Sequence, residues 1–234
     1  MNVLGVRVDN ISREEILAKL EFFLHEEKFH HIATVNPEFV LEAQNNTEFK
    51  EILNGCDLNI ADGVGIAYAY MRYGKRLRCR FSGIDLMQEL LTIANKERVG
   101  VFLACSTAGL SSYAQIVSML EKEYPHVVFG GENIDPKSPH LYKVQDTRYK
   151  ILLCNFGAPN QEVFVNSLSN GTIRLAMGVG GSFDFLTGKI LRAPHFLRSV
   201  GLEWLWRLAL EPKYRMKRVF RAIVLFPIKI LAEK

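Results

Sequence analysis

Leu58-Asn59-Ile60-Ala61-Asp62-Gly63-Val64-Gly65-Ile66-Ala67 is the stretch on which the reading of this chain turns. A short apolar run enters an acid and a glycine, and a helical pattern follows at once. A strand that ends in Asp-Gly and continues as a helix puts its carboxylate at the carboxyl end of a sheet. Open α/β folds bind their ligands at that edge. Asp and Gly are also ordinary turn residues, so the stretch by itself leaves a structural turn and a functional acid open.

The neighbouring segments repeat the pattern. Upstream, Val3 to Val8 reads as a strand, and Ser12-Arg13-Glu14-Glu15 is a capping box opening an amphipathic helix. His31 to Val35 is a strand stopped by Asn36-Pro37, with helices over Glu38 to Gln44 and from Thr47 to Leu53. Downstream, helices are expected from Val64 to Tyr73 and from Ser82 through Ile93. Val99 to Cys105, Val127 to Phe129, Lys150 to Asn155 and Ile173 to Val179 read as strands. Thr107 to Lys122 and Gln161 to Leu168 read as helices, and Gly130 to Pro139 as a polar loop. Strands alternating with helices at this spacing predict an α/β fold, a Rossmann-like, mostly parallel sheet flanked by helices.

At 234 residues, with 48% hydrophobic and 23% charged residues, the chain is large enough for one domain plus an appendage. Four dispersed cysteines fit buried thiols in a reducing compartment, and no signal-peptide pattern opens the chain, so a cytoplasmic location is expected. The net charge of +4 is uneven: Arg198 to Lys234 holds nine Lys/Arg against three Asp/Glu, while residues 1–197 hold 20 against 22. In that tail, Phe196 to Leu210 is aromatic-rich, and Lys213 to Leu231 mixes Tyr214 and basic side chains with Val, Ile, Leu and Phe. This suits a helix lying on an anionic membrane surface, or one packed on the core or in a homo-oligomer contact. The expected organisation is a catalytic body over 1–190 and a C-terminal helical membrane-binding appendage over 191–234, with deletion of Arg198–Lys234 expected to leave the body folded. Interleaved apolar residues argue against nucleic acid as the partner of the tail.

No His-x-x-x-His pair, Walker A loop or complete G-x-G-x-x-G occurs, so neither a metal nor a cofactor is expected. Polar residues instead collect at expected strand ends: Thr34 and Asn36, Asp62, Ser106-Thr107, Asn155 with Gln161, and Gly178, Gly180, Gly181 and Asp184. Five such ends facing one rim make a crevice. The glycines would let backbone N–H groups approach a phosphate, unless they simply form a turn.

Those same residues carry a family resemblance. Gly178-Val-Gly-Gly-Ser-Phe-Asp184-Phe-Leu-Thr-Gly188, Arg192-Ala-Pro194, Gly201-Leu-Glu-Trp-Leu-Trp-Arg207 and Glu211-Pro212 resemble the signature of the WecG/TagA/CpsF glycosyltransferases, glycosyltransferase family 26. Gly157 to Glu162, Thr34 to Glu38, Ala61 to Gly65 and Arg80 to Leu86 resemble further blocks of that family. Asn160 stands where the family usually has lysine, and Gly130 to Tyr149 is shorter than usual and lacks a G-Y-F turn.

The resemblance implies an inverting, metal-independent enzyme moving a sugar from a UDP-sugar donor to a polyprenyl-diphosphate-linked sugar acceptor, in cell-surface polysaccharide or teichoic acid synthesis. It implies Asp62 as general base with Thr34 beside it, and peripheral attachment to the inner face of the membrane. Asn36, Asn155, Gln161, the three glycines and Asp184 would hold the nucleotide sugar. Arg80, Arg192, Arg207, Arg215 and Arg218 would meet the diphosphates. The alternative is a non-catalytic sugar-nucleotide-binding member of a polysaccharide assembly complex.

Overall fold

The computed structural model describes residues 1–137, 144, 146–168 and 171–233, with only the backbone of Ser199 and Tyr214. Pro139, much of the shortened Gly130–Tyr149 segment, the Tyr214 side chain and Lys234 therefore lie outside the described residues.

The chain opens with a two-residue antiparallel pair, β1 (Asn2–Val3) and β2 (Val6–Arg7). The single strand expected over Val3 to Val8 is divided there because Leu4 and Gly5 both take positive φ, at 49° and 78°. Six strands then form one parallel sheet in the order β4-β3-β8-β7-β5-β6. They are β3 (His30–Val35), β4 (Leu58–Ala61), β5 (Gly100–Ser106), β6 (Phe129–Ile134), β7 (Tyr149–Cys154) and β8 (Leu175–Gly178). β3, β4, β5 and β8 are buried along their whole length, as a sheet covered on both faces requires.

Helices α1 (Arg13–His25), α5 (Gly83–Glu97) and α6 (Tyr113–Glu123), with the five-residue α8 (Ser182–Leu186), cover one face. Ser12 and Glu15 form the expected capping box, and the Ser82 hydroxyl caps α5. On the other face, α2 (Pro37–Ala43), α3 (Thr47–Gly55) and α4 (Val64–Arg72) share a cluster with the β1–β2 pair, and α7 (Asn160–Ser167) covers β7 and β8. The α3 N-cap is Asn46 rather than Thr47.

Two further expectations shift. α6 begins at Tyr113, not Thr107, because Ser112 and Gln115 cap it reciprocally. β6 runs through Gly130 and Gly131 to Ile134, so the expected polar loop starts later. A Cβ on Gly131 would overlap the Leu103 carbonyl, and one on Gly130 would overlap the Tyr149 ring, so both glycines serve close approach within the sheet.

The tail contains α9 (His195–Ser199), α10 (Glu203–Leu210), α11 (Pro212–Phe220), a π turn (Arg221–Leu225) and α12 (Phe226–Ala232). Its last helix is part of the body's core. Phe226 and Ile230 are fully buried with Val3, Ile66, Ala69 and Tyr70, and Gly65 gives the room that the Pro37 ring needs beside them. Phe226→Ala is expected to lower unfolding stability by about 3–5 kcal/mol in urea titration, through lost burial and the cavity left behind. No helix among the described residues is long and apolar enough to cross a membrane.

Candidate active site

The carboxyl ends of the parallel strands meet where the sheet changes direction of winding. The chain passes from β3 outward to β4 on one side and from β5 outward to β6 on the other, with β7 and β8 between. Val35 pairs with Ala61 in register, and the Asp62 amide donates to the Val35 carbonyl at 2.8 Å. The Phe81 amide donates to Ala61 at 3.1 Å, which brings Arg80 alongside Asp62. Gly63, at φ 82°, makes the sharp entry into α4.

Asp62 is only partly exposed on the crevice floor. Burial pushes its pKa up to about 7; Arg207 and Arg80 pull it down, while Glu203 and Asp85 push it further up. Among the described residues no side chain donates a hydrogen bond to its carboxylate. Thr34 is buried on the neighbouring strand, and its hydroxyl faces Gly83 at the start of α5 and, beyond it, Ser182. By strand alternation Ile32, Thr34 and Ile60 face α5, and Asp62 follows the same alternation.

The residues expected to hold a nucleotide sugar are brought to one rim, and most already have structural partners. The Asn36 carboxamide oxygen caps α2 through the Glu38 and Phe39 amides at 3.0 and 3.1 Å. The Asn155 oxygen accepts from the Ser106 amide at 2.6 Å and ties the ends of β5 and β7 together. The Gln161 oxygen accepts from the Gly157 and Gly180 amides, both at 3.1 Å. Gly178 is wedged so tightly against Gln161 and Glu162 that any side chain there would overlap them. Asp184, buried, accepts from the Ser111 hydroxyl at 2.7 Å, and Ser111 also meets Thr187 at 2.6 Å. Gly181 is exposed, with open space where a Cβ would be.

Beyond β5 lies a polar cavity of about 460 Å³, lined by Ser106, Thr107, Ser111, Ser112, Gln115 and Asn133 among others. It occupies the loop that the expected helix from Thr107 would have filled. Ser111, Ser112 and Gln115 escaped the sequence reading, although the Ser112-x-x-Gln115 capping signal was available.

Four of the five candidate arginines are held by carboxylates of the same chain. Arg192 pairs with Asp85, and Arg207 with Glu203 at 2.6 Å while lying 4.5 Å over the Phe185 ring. Arg215 pairs with Glu211 at 2.8 Å. Arg218 grips Glu38 through both oxygens at 2.6–2.9 Å. Arg80 is exposed, with no ion-pair partner among the described residues, and the turn at Gly201 packs directly on it and on Val64. The tail therefore touches the Asp62 neighbourhood from above. No group of three or more His, Cys, Asp or Glu side chains able to hold a metal ion occurs among the described residues.

The model of the glycosyl transferase WecG/TagA/CpsF family matches residues 1–234. A Staphylococcus aureus (strain MRSA252) N-acetylglucosaminyldiphosphoundecaprenol N-acetyl-beta-D-mannosaminyltransferase is 30% identical over 240 residues, covering 100% of this chain and 93% of the relative. The protein of the same name from Bacillus subtilis (strain 168) is 28% identical over 207 residues, 87% of this chain and 79% of its own. A match along the whole chain, together with a parallel α/β sheet that carries the Asp62 and glycine blocks at its rim, shows that this protein belongs to the WecG/TagA/CpsF family of glycosyltransferases.

Proposed function

We propose that the chain transfers a hexose-type sugar, N-acetylmannosamine in the first instance, from UDP to a hydroxyl of a polyprenyl-diphosphate-linked sugar, with inversion. The observation that carries this is Asp62: a carboxylate on the crevice floor, raised toward neutral pH and not engaged by another side chain. A general base works best with a pKa near the working pH and with its acceptor oxygens free. The acceptor hydroxyl gives its proton to Asp62 as its oxygen attacks the anomeric carbon. The bond from that carbon to the nucleotide diphosphate breaks, and the diphosphate leaves with the electron pair. Thr34, one strand away, orients the reacting sugar.

The spacing of the rim supports the reading. β4 and β5 are four strand steps apart, about 19 Å at the usual interstrand distance. An extended nucleotide diphosphate sugar spans such a gap, with its nucleoside in the polar cavity beyond β5 and its sugar beside Asp62. On this proposal the exposed Gly181 turn and Arg80, Arg192 and Arg207 meet the leaving diphosphate as it gathers charge, and donors fixed in advance stabilise such charge most effectively. The relatives' names support an N-acetylglucosaminyl-diphospholipid as acceptor.

The tail, on this proposal, rests on the inner face of the membrane. Phe220, Ile223, Ile228 and Leu231 are exposed along it, flanked by Lys213, Lys217 and Lys229. A panel of UDP- and other nucleotide-linked sugars, assayed with a synthetic polyprenyl-diphosphate N-acetylglucosamine for released nucleotide, tests the function. UDP release dependent on that acceptor is expected, and a full panel without turnover would overturn the proposal.

A further inference from the structure

The two glycine turns that face the proposed diphosphate site, at Gly157 and Gly180, are joined by one amide. The Gln161 oxygen receives both turn N–H groups, and its Nε2 donates to the Glu162 carboxyl at 2.6 Å. Glu162 follows Gln161 on the first turn of α7 and is 1% exposed, and its second oxygen has no partner among the described residues. The nearby ionisable groups that act on it or that it acts on are the thiols of Cys56 and Cys154 rather than any cation. Burial pushes its pKa up to about 8, so near neutral pH the acid is largely protonated. A paired, charged glutamate is not what the site contains.

An amide has two nearly isosteric ends, and only its hydrogen-bond partners decide which end faces where. Two converging N–H donors need the oxygen of Gln161. A 180° flip would aim its –NH2 at both and drive the turns apart. An acceptor on the far side adds to that preference: it satisfies the buried –NH2 and holds the amide plane between the two donors. We infer that Glu162 is a positioning residue: by accepting from Gln161 it fixes the amide that holds the Gly157 and Gly180 turns in the geometry used to bind the donor diphosphate. The inference rests on the proposed donor site for its consequence, though not for its geometry.

The experiment separates the two. Hydrogen–deuterium exchange of the ligand-free protein, over peptides covering 155–162 and 178–182, needs no donor. Glu162→Leu is expected to speed exchange of the Gly157 and Gly180 amides at least tenfold, whereas Glu162→Gln, which keeps an acceptor oxygen, stays within about threefold of wild type. UDP binding by calorimetry is expected to follow the same order, with the Kd raised at least tenfold in Glu162→Leu and little changed in Glu162→Gln. Thermal stability is expected to fall in Glu162→Leu, because the buried Gln161 Nε2 loses its acceptor, so the readouts that decide are the site-specific exchange and the contrast with Glu162→Gln. Wild-type exchange at both glycines in Glu162→Leu would overturn the inference, as would equal damage from Leu and Gln. Failure of wild-type protein to bind UDP, with the exchange pattern as expected, would overturn the donor reading alone.

Discussion

Asp62→Asn is expected to lower the transfer rate by about 10²–10⁴-fold, the range that a positioned general base contributes. The substitution keeps size and hydrogen-bonding shape, so the loss should fall on kcat more than on the KM for either substrate. In the wild type, kcat/KM should rise tenfold per pH unit below about 7 and then level off, because the carboxyl must lose its proton to act and burial holds its pKa near that value. A variant with near wild-type turnover across this range would remove Asp62 as the base. Stability should move the opposite way. The folded-state pKa lies above the ordinary aspartate value of 3.8, so between about pH 4 and 7 the folded protein holds a proton that the unfolded chain releases. The favourable contribution of the protonated form is present below that window and lost as pH rises through 7. Asp62→Asn should therefore melt higher than wild type at pH 8 and equally at pH 4, a trade of stability for function.

Replacing Phe220, Ile223, Ile228 and Leu231 together with serine is expected to reduce partition onto anionic vesicles by about 10²–10³-fold. Each loses roughly 1 kcal/mol of interfacial burial, less than full burial gives because the helix only dips into the headgroup layer. The four side chains are 42–59% exposed, so unfolding in urea should be nearly unchanged. Sedimentation with vesicles at low and high salt measures both parts of the attraction, since the lysines' share fades with salt and the apolar share does not. Unaltered co-sedimentation of the quadruple variant would end the membrane reading. Surface substitutions are the right instrument because deletion of residues 198–234 also removes Phe226 and Ile230 from the core. The tail expected to be detachable is anchored in the body by its last helix.

Much of this architecture is visible in local chemistry. Capping at Ser12 and Ser82 and the Asp-Gly turn after Ala61 each depend on residues within a few positions. Misreadings arose where one residue type has two uses. Gly130 and Gly131 look like a turn, but they are in a strand because Leu103 and Tyr149, distant in sequence, leave no room for side chains. Thr107 resembles a helix start, although the better cap lies five residues on at Ser112. Arg207–Glu203 and Arg215–Glu211 are four residues apart and follow from helical spacing, whereas the partners of Arg192 and Arg218 were not legible. Arg218 and Glu38 are 180 residues apart, and only the folding of the tail against α2 brings them together.

Those pairings have a kinetic meaning. A guanidinium already clasped by a carboxylate of its own chain faces a tethered competitor at high effective concentration. A stray monovalent anion is a poor rival for it, while a ligand with two adjacent charged phosphates can displace it by engaging more than one arginine together. On the proposed function, the four paired arginines favour a diphosphate over a small anion, and Arg80 is the cation that either ligand meets first.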